Sequence, residues 1–200
     1  MKKQVLFLVA TAVMLVASTS VQAQSVSYPK FHMGIRGGLT VNTASVKGGG
    51  SADALAFPYG GIAVDFRVAP FPLYLETGVY YMNKGGEYKY VQYNGGYSFS
   101  DYTEKFDNHF INVPLLLCYH FYVNDKMAVQ PFVGFVGGYL TESDNFGGAV
   151  RIGCGYNFGR LYANIGYDFG VTKDSKHKQG VDITNNTFFA TLGFNFAGGR

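Results

Sequence analysis

The chain has no tryptophan, two cysteines and six prolines, and charged residues make up only 14% of its 200 positions. Beside 48% hydrophobic and 17% aromatic residues and 27 glycines, so few charges are unlike an ordinary soluble domain. A formal charge of +3 gives no basis for a nucleic-acid partner. A run of the ~20 apolar residues that a membrane-spanning helix needs is also missing. Val5 to Ala17 is shorter, of the length of a signal-sequence core, and lies between the basic Met1-Lys2-Lys3 and a small-x-small site at Val21-Gln22-Ala23. Residues 1–23 are therefore expected to be a cleaved signal peptide and residues 24–200 one exported domain. No Gly-Lys-Ser or Gly-Lys-Thr phosphate loop occurs.

What the chain does have is alternation. Val150, Ile152, Cys154, Tyr156 and Phe158 alternate with Arg151, Gly153, Gly155 and Asn157, the period-2 mark of a strand with one apolar face. After Gly159-Arg160, which suits a type II′ turn, the pattern resumes with Leu161, Ala163, Ile165, Tyr167 and Phe169. That turn brings Arg151 opposite Asp168 on the polar face.

The same pattern recurs to give eight strands: 31–41, 61–68, 73–81, 111–121, 129–139, 150–158, 161–169 and 188–196. Loops are expected at Asn42 to Phe57, Thr141 to Phe146 and Thr172 to Asn186, and Pro114 is expected to mark a bulge. Lys84 to Asp107 is polar, rich in tyrosine and carries the type I′ signal Asn94-Gly95, so strands 3 and 4 are expected to continue as a ribbon closed by that turn. Connections after strands 2, 4 and 6 are short, and those after strands 1, 3, 5 and 7 are longer and polar. Outer-membrane barrels show this asymmetry, with short periplasmic turns and longer outside loops. The expected fold is all-β: an eight-stranded antiparallel up-and-down transmembrane β-barrel with periplasmic termini and an extended extracellular hairpin between strands 3 and 4.

Volume and charge set the orientation. The apolar face carries most of the Leu, Ile, Val and aromatic side chains, too much for a narrow lumen, whereas the other face is mainly Gly, Ala, Asn and Thr. That second face also holds Arg36, Arg67 and Arg151 with Asp65, Glu76 and Asp168. Facing lipid near the midplane, each Arg would cost ~2–4 kcal/mol. Sealed inside, opposite charges can offset one another, as a structural plug rather than an ion path. Tyr81, Tyr119, Tyr139, Tyr156 and Tyr167 then fall toward strand ends on the lipid face, where an interfacial girdle sits. Cys118 and Cys154 lie on opposite faces and are expected to be free thiols.

An enzyme would need a nucleophile with its base. None of His32, His109, His120 and His177 stands next to Ser, Asp or Glu in a recognisable motif, so no catalytic residue and no cofactor is expected. His32 and His120 both point inward near one end, but from non-neighbouring strands. Two ligands fall short of the three or four a metal site wants, and no metal is expected. The better functional candidate is the ribbon, where Tyr88, Tyr90, Tyr93, Tyr97, Phe99 and Tyr102 could stack on a glycan or offer an edge to a protein. Cross-strand tyrosines that merely hold the ribbon together are the plainer explanation. Lys173, Lys176 and Lys178 could meet lipopolysaccharide phosphates or simply belong to a solvated loop.

Gly34–Gly38 (GIRGG) in the first strand, Ile111–Phe121 (INVPLLLCYHF) in the fourth and Lys126–Leu140 (KMAVQPFVGFVGGYL) in the fifth resemble the PorT-like outer-membrane β-barrel proteins of Gram-negative bacteria. The resemblance covers the mature chain and implies an outer-membrane barrel surrounded by lipid and lipopolysaccharide. One class of that family is linked with a protein secretion system, and no residue pattern here carries the role over. The aromatic finish Phe194-Asn195-Phe196 resembles the signal by which barrel-assembly machinery recognises its clients, although Ala197 to Arg200 trail beyond it. The expected role is non-enzymatic, in envelope structure or surface interaction through loops that bind protein or glycan. The alternatives are a subunit of a secretion or envelope complex and, less favoured, a lipid-modifying enzyme.

Overall fold

The computed structural model describes residues 28–46, 52–53, 55–83, 86–93, 99–106, 109–141, 145–172 and 183–198. The expected signal peptide, the Asn94-Gly95 turn, Tyr97, His177 and the lysines at 173, 176 and 178 lie outside the described residues.

Eight long strands close on themselves: β1 (Phe31–Val46), β3 (Leu55–Arg67), β4 (Leu73–Asn83), β7 (His109–Tyr119), β9 (Met127–Leu140), β10 (Asn145–Phe158), β11 (Leu161–Gly170) and β12 (Ile183–Ala197). Each pairs antiparallel with the next, and β12 returns to β1, so the sheet has no free edge along its circuit. Closure is what hydrocarbon demands, because an unpaired strand edge there would have no water to satisfy it. A short strand, β8 (Phe121–Asn124), continues β7 beyond His120 against β9, in the same register as far as Tyr122 and shifted before Asn124. The all-β, eight-stranded antiparallel barrel expected from the alternation is the fold observed.

Orientation follows the same logic. Along β7, Phe110, Asn112, Pro114, Leu116 and Cys118 are buried, while Ile111, Val113, Leu115 and Leu117 are exposed. Ile35, Leu39, Ile62, Val79, Phe135, Ile152, Ile165 and Leu192 continue that exposed apolar surface around the barrel. Both thiols are free, Cys118 buried and Cys154 exposed.

The connections 68–72, 125–126 and 159–160 lie at the end of the barrel where the first and last strands also begin and finish; this is the turn end. Gly159 has φ +60°, as the first central position of a type II′ turn requires, and Phe158 pairs with Leu161 across it. At the opposite, loop end, β5 (Gly86–Tyr93) pairs with β6 (Phe99–Phe106), and β2 (Ala52–Asp53) adds to β5.

Several boundaries differ from expectation. β1 runs to Val46 and β3 begins at Leu55, through half of the expected 42–57 loop; β10 begins at Asn145 and β12 at Ile183. Polar pairs such as Thr43 with Asn186 and Ser45 with Thr184 carry the ladder past the apolar belt. Strand pairing needs backbone hydrogen bonds, and apolar alternation is imposed only where one face meets hydrocarbon. The ribbon keeps the register of its neighbours, with Asn83 opposite His109 and then Gly86 opposite Phe106, and β2 adds a third strand beside it. Pro114 marks no bulge, because the register of β7 is unbroken on both sides of it. The ladder to β4 instead lapses between Thr77–Leu115 and Tyr80–Asn112, where the proline has no N–H to give.

Candidate functional site

The narrow lumen collects the large inward side chains in layers. Arg151 lies on β10 and Asp168 on β11, directly opposite in register. Arg151 Nε donates to Asp168 Oδ1 at 2.6 Å and Nη2 to Oδ2 at 2.8 Å, a two-pronged, charge-assisted pair. Its third arm donates to the Tyr59 hydroxyl at 2.9 Å, and its guanidinium lies 4.3 Å from the Phe189 ring centre. Tyr59 stacks in turn on Tyr80, with ring centres 5.1 Å apart. Arg151, Asp168, Tyr59, Tyr80 and Phe189 are all buried in this layer.

The other four charges expected to share that network are distributed differently. Arg36 is buried, lies 4.0 Å over the Tyr162 ring and donates to its neighbouring Ile35 carbonyl at 3.2 Å. Glu76 is buried between those layers, and among the described residues no hydrogen bond or ion pair reaches its carboxylate. Arg67 is half-buried at the end of β3, opposite Tyr74. Asp65 turns to histidine instead.

That choice builds the most concentrated group of chemically versatile side chains among the described residues. His32 and Asp65 are cross-strand partners on β1 and β3. Asp65 Oδ1 accepts from the His32 backbone N–H and meets His32 Nδ1, both at 2.8 Å. His120 occupies the break between β7 and β8, where its N–H donates to the Pro72 carbonyl at 2.9 Å. From there its ring reaches across the lumen to stack on His32, with centres 5.6 Å apart, and its Nε2 comes within 3.6 Å of Asp65 Oδ2. Tyr74 stacks on the His120 ring at 3.8 Å and lies 5.6 Å from the His32 ring, and Gln130 Nε2 is 3.3 Å from His120 Nδ1. All three side chains are buried, and one potential ligand atom from each lies within 4.8 Å of the other two. Below them the turn end opens into a cavity of about 520 Å³ lined by His32, Tyr122, Asn157, Arg160 and Asn195 among others.

Sequence reasoning placed His32 and His120 correctly at one end, yet missed their meeting through Asp65. Their strands are not neighbours, but the lumen is so narrow that side chains from across it touch. The one available signal was the β1–β3 register, which the long intervening segment hid. At the loop end, Tyr90 pairs with Tyr102 and Tyr93 with Phe99 in the β5–β6 register, while Tyr88 pairs with Glu104.

Residues 22–148 match the model of a family described as the outer membrane protein beta-barrel domain. No curated protein matches the sequence. Among solved structures, the chain is similar to the outer membrane protein OprG from Pseudomonas aeruginosa, at 13% identity over 85% of this chain and 98% of that one, with a TM-score of 0.53. Neisserial surface protein A is similar at 14% identity over 82% and 97% of the two chains, with a TM-score of 0.39. The attachment invasion locus protein Ail of Yersinia pestis is similar at 10% identity over 82% and 99%, with a TM-score of 0.35. At such identity the OprG likeness is one of fold, and the two weaker ones lend no weight beyond it.

Proposed function

The chain belongs to the outer membrane protein beta-barrel domain family, and from that premise we propose that it is a non-enzymatic barrel with a plugged interior, serving envelope structure or surface interaction through its loop end. The observation that carries this reading is the filled lumen: Arg151, Asp168, Tyr59, Tyr80, Phe132 and Phe189 are all buried within one stretch of the wall, leaving chemistry to the ends. Such a barrel sits among outer-membrane lipid and lipopolysaccharide, reaches the membrane behind a signal peptide with the help of barrel-assembly machinery, and keeps its termini and short turns in the periplasm. The β5–β6 hairpin then stands outside the cell as the surface for a protein or glycan, with Tyr88, Tyr90, Tyr93, Tyr97, Phe99 and Tyr102 as its aromatic positions. In support of a non-enzymatic reading, the hydrogen-bond contacts of the His32 and His120 rings are to Asp65 and Gln130, a carboxylate and an amide.

Deleting residues 87–105 tests the reading. The barrel should still fold, since its eight-strand circuit closes through the β4–β7 pairing without β5 and β6, and surface binding of whole cells to glycan or protein arrays should be lost. Binding that survives the deletion removes the hairpin from the account. Steady, large conductance in planar bilayers would equally contradict a filled lumen. A subunit role in a secretion or envelope complex, as in the PorT-like class, remains the second reading because the broad exposed apolar wall could also meet another membrane protein; capture of the intact barrel with a stable partner would favour it.

A further inference from the structure

We propose that His32, Asp65 and His120 form a binding site for a divalent transition-metal ion of the zinc class, reached from the cavity at the turn end. Two imidazoles and one carboxylate are the donor set that such ions prefer, whereas magnesium and calcium favour all-oxygen sites.

The spacing is close to what an ion requires. Bonds of ~2.0–2.2 Å in a tetrahedral arrangement place ligand atoms about 3.3–3.5 Å from one another. Here Asp65 Oδ1 lies 2.8 Å from His32 Nδ1 and its Oδ2 lies 3.6 Å from His120 Nε2, and one ligand atom from each residue lies within 4.8 Å of the others. Closure needs the Asp65–His32 contact to open by roughly 0.5–0.7 Å and the widest separation to contract by roughly 1.5 Å at most, within the reach of side-chain rotation.

A second observation points to a missing ligand. His120 is 1% exposed, yet among the described residues its Nε2 has no hydrogen-bond partner, and the atom it faces at 3.6 Å is Asp65 Oδ2. A buried polar atom left in this way is costly, and a metal would use both the nitrogen lone pair and the carboxylate oxygen it faces. The supports of a metal-bound imidazole are already in place. With Nε2 given to the ion, the ring proton sits on Nδ1 and needs an acceptor. Gln130 supplies one when its amide is turned over, since the amide oxygen and nitrogen are interchangeable in outline. Tyr74, anchored by its hydroxyl to the Pro29 carbonyl at 2.9 Å, stacks on the ring and holds its plane.

Access and coordination number indicate an exchangeable site. His32 belongs both to the trio and to the wall of the cavity, which gives an ion an entry path from the turn end. Three protein ligands leave a position for water, unlike the closed four-ligand sites that serve structure alone.

The test uses the full barrel in detergent micelles, stripped with chelator and titrated with Co2+, whose ligand-field absorption reports nitrogen and oxygen coordination. One equivalent should saturate the signal, and Zn2+ should displace it. Gln130→Leu should weaken binding about 10–100-fold, and His32→Gln or His120→Gln should weaken it further. His109→Gln, at the loop end, should leave it unchanged. Heat-modifiable gel migration reports whether each variant has folded, and the titration of the unmodified barrel decides the matter even if one has not. Absence of the Co2+ signal in the unmodified barrel, or its full retention in a folded His32→Gln/His120→Gln variant, overturns the proposal.

Discussion

Asp168 holds Arg151 with two short hydrogen bonds in a layer where both side chains are almost fully buried. Removing one charge strands the other, which costs more than the pair itself contributes. Asp168→Asn should therefore lower barrel stability by about 3–5 kcal/mol, measured by denaturant unfolding in micelles, while a joint replacement of Arg151 and Asp168 by apolar residues should cost less than the single change. A joint replacement as harmful as Asp168→Asn would contradict that account. At this scale the sequence was legible where a short turn set the register: Gly159-Arg160 gave the Arg151–Asp168 pairing directly. Asp65 was not legible, because an acid facing inward can find an arginine or a histidine, and the choice depends on which side chains reach across the lumen.

Among the elements, the β10–β11 hairpin shows how closely backbone and side chains are fitted. Gly159 takes a left-handed φ of +60°, which a residue with a Cβ adopts at a cost of about 1–2 kcal/mol. Gly159→Ala should lower stability by about that amount, without moving the Phe158–Leu161 register seen in backbone NMR. Farther along, Gly153 and Gly166 face each other across the hairpin, and the rings of Phe132 and Phe189 lie over them. A Cβ on Gly153 would overlap both the Phe132 ring and the Ile165 carbonyl, so these glycines leave room for inward aromatics. Strand ends were the part the sequence concealed. β1 and β12 pair through Thr43, Ser45, Thr184 and Asn186, none of them apolar, and hydrophobic alternation cannot announce a strand that no longer touches lipid.

For the molecule as a whole, the decisive division is between wall and lumen. Leu115, midway along β7, is 53% exposed on the outer surface, while its neighbour Leu116 is buried inside. Leu115→Arg should destabilise the barrel by ~2–4 kcal/mol in a bilayer, read from refolding into lipid vesicles, and by less in loose detergent that lets the charge reach water. An equal cost in both solvents would argue against an outer surface facing hydrocarbon.

The amino-acid sequence alone determined the strand period, the apolar face and the direction that face must point, because each follows from local spacing and from the cost of charge in lipid. It also fixed pairings wherever two strands share a tight turn. Only the tertiary structure decided which inward side chains meet. Closing the barrel brings His120 from the β7–β8 break against His32 and Asp65 on strands it does not pair with, and that proximity is a property of the circumference, not of any segment of the chain.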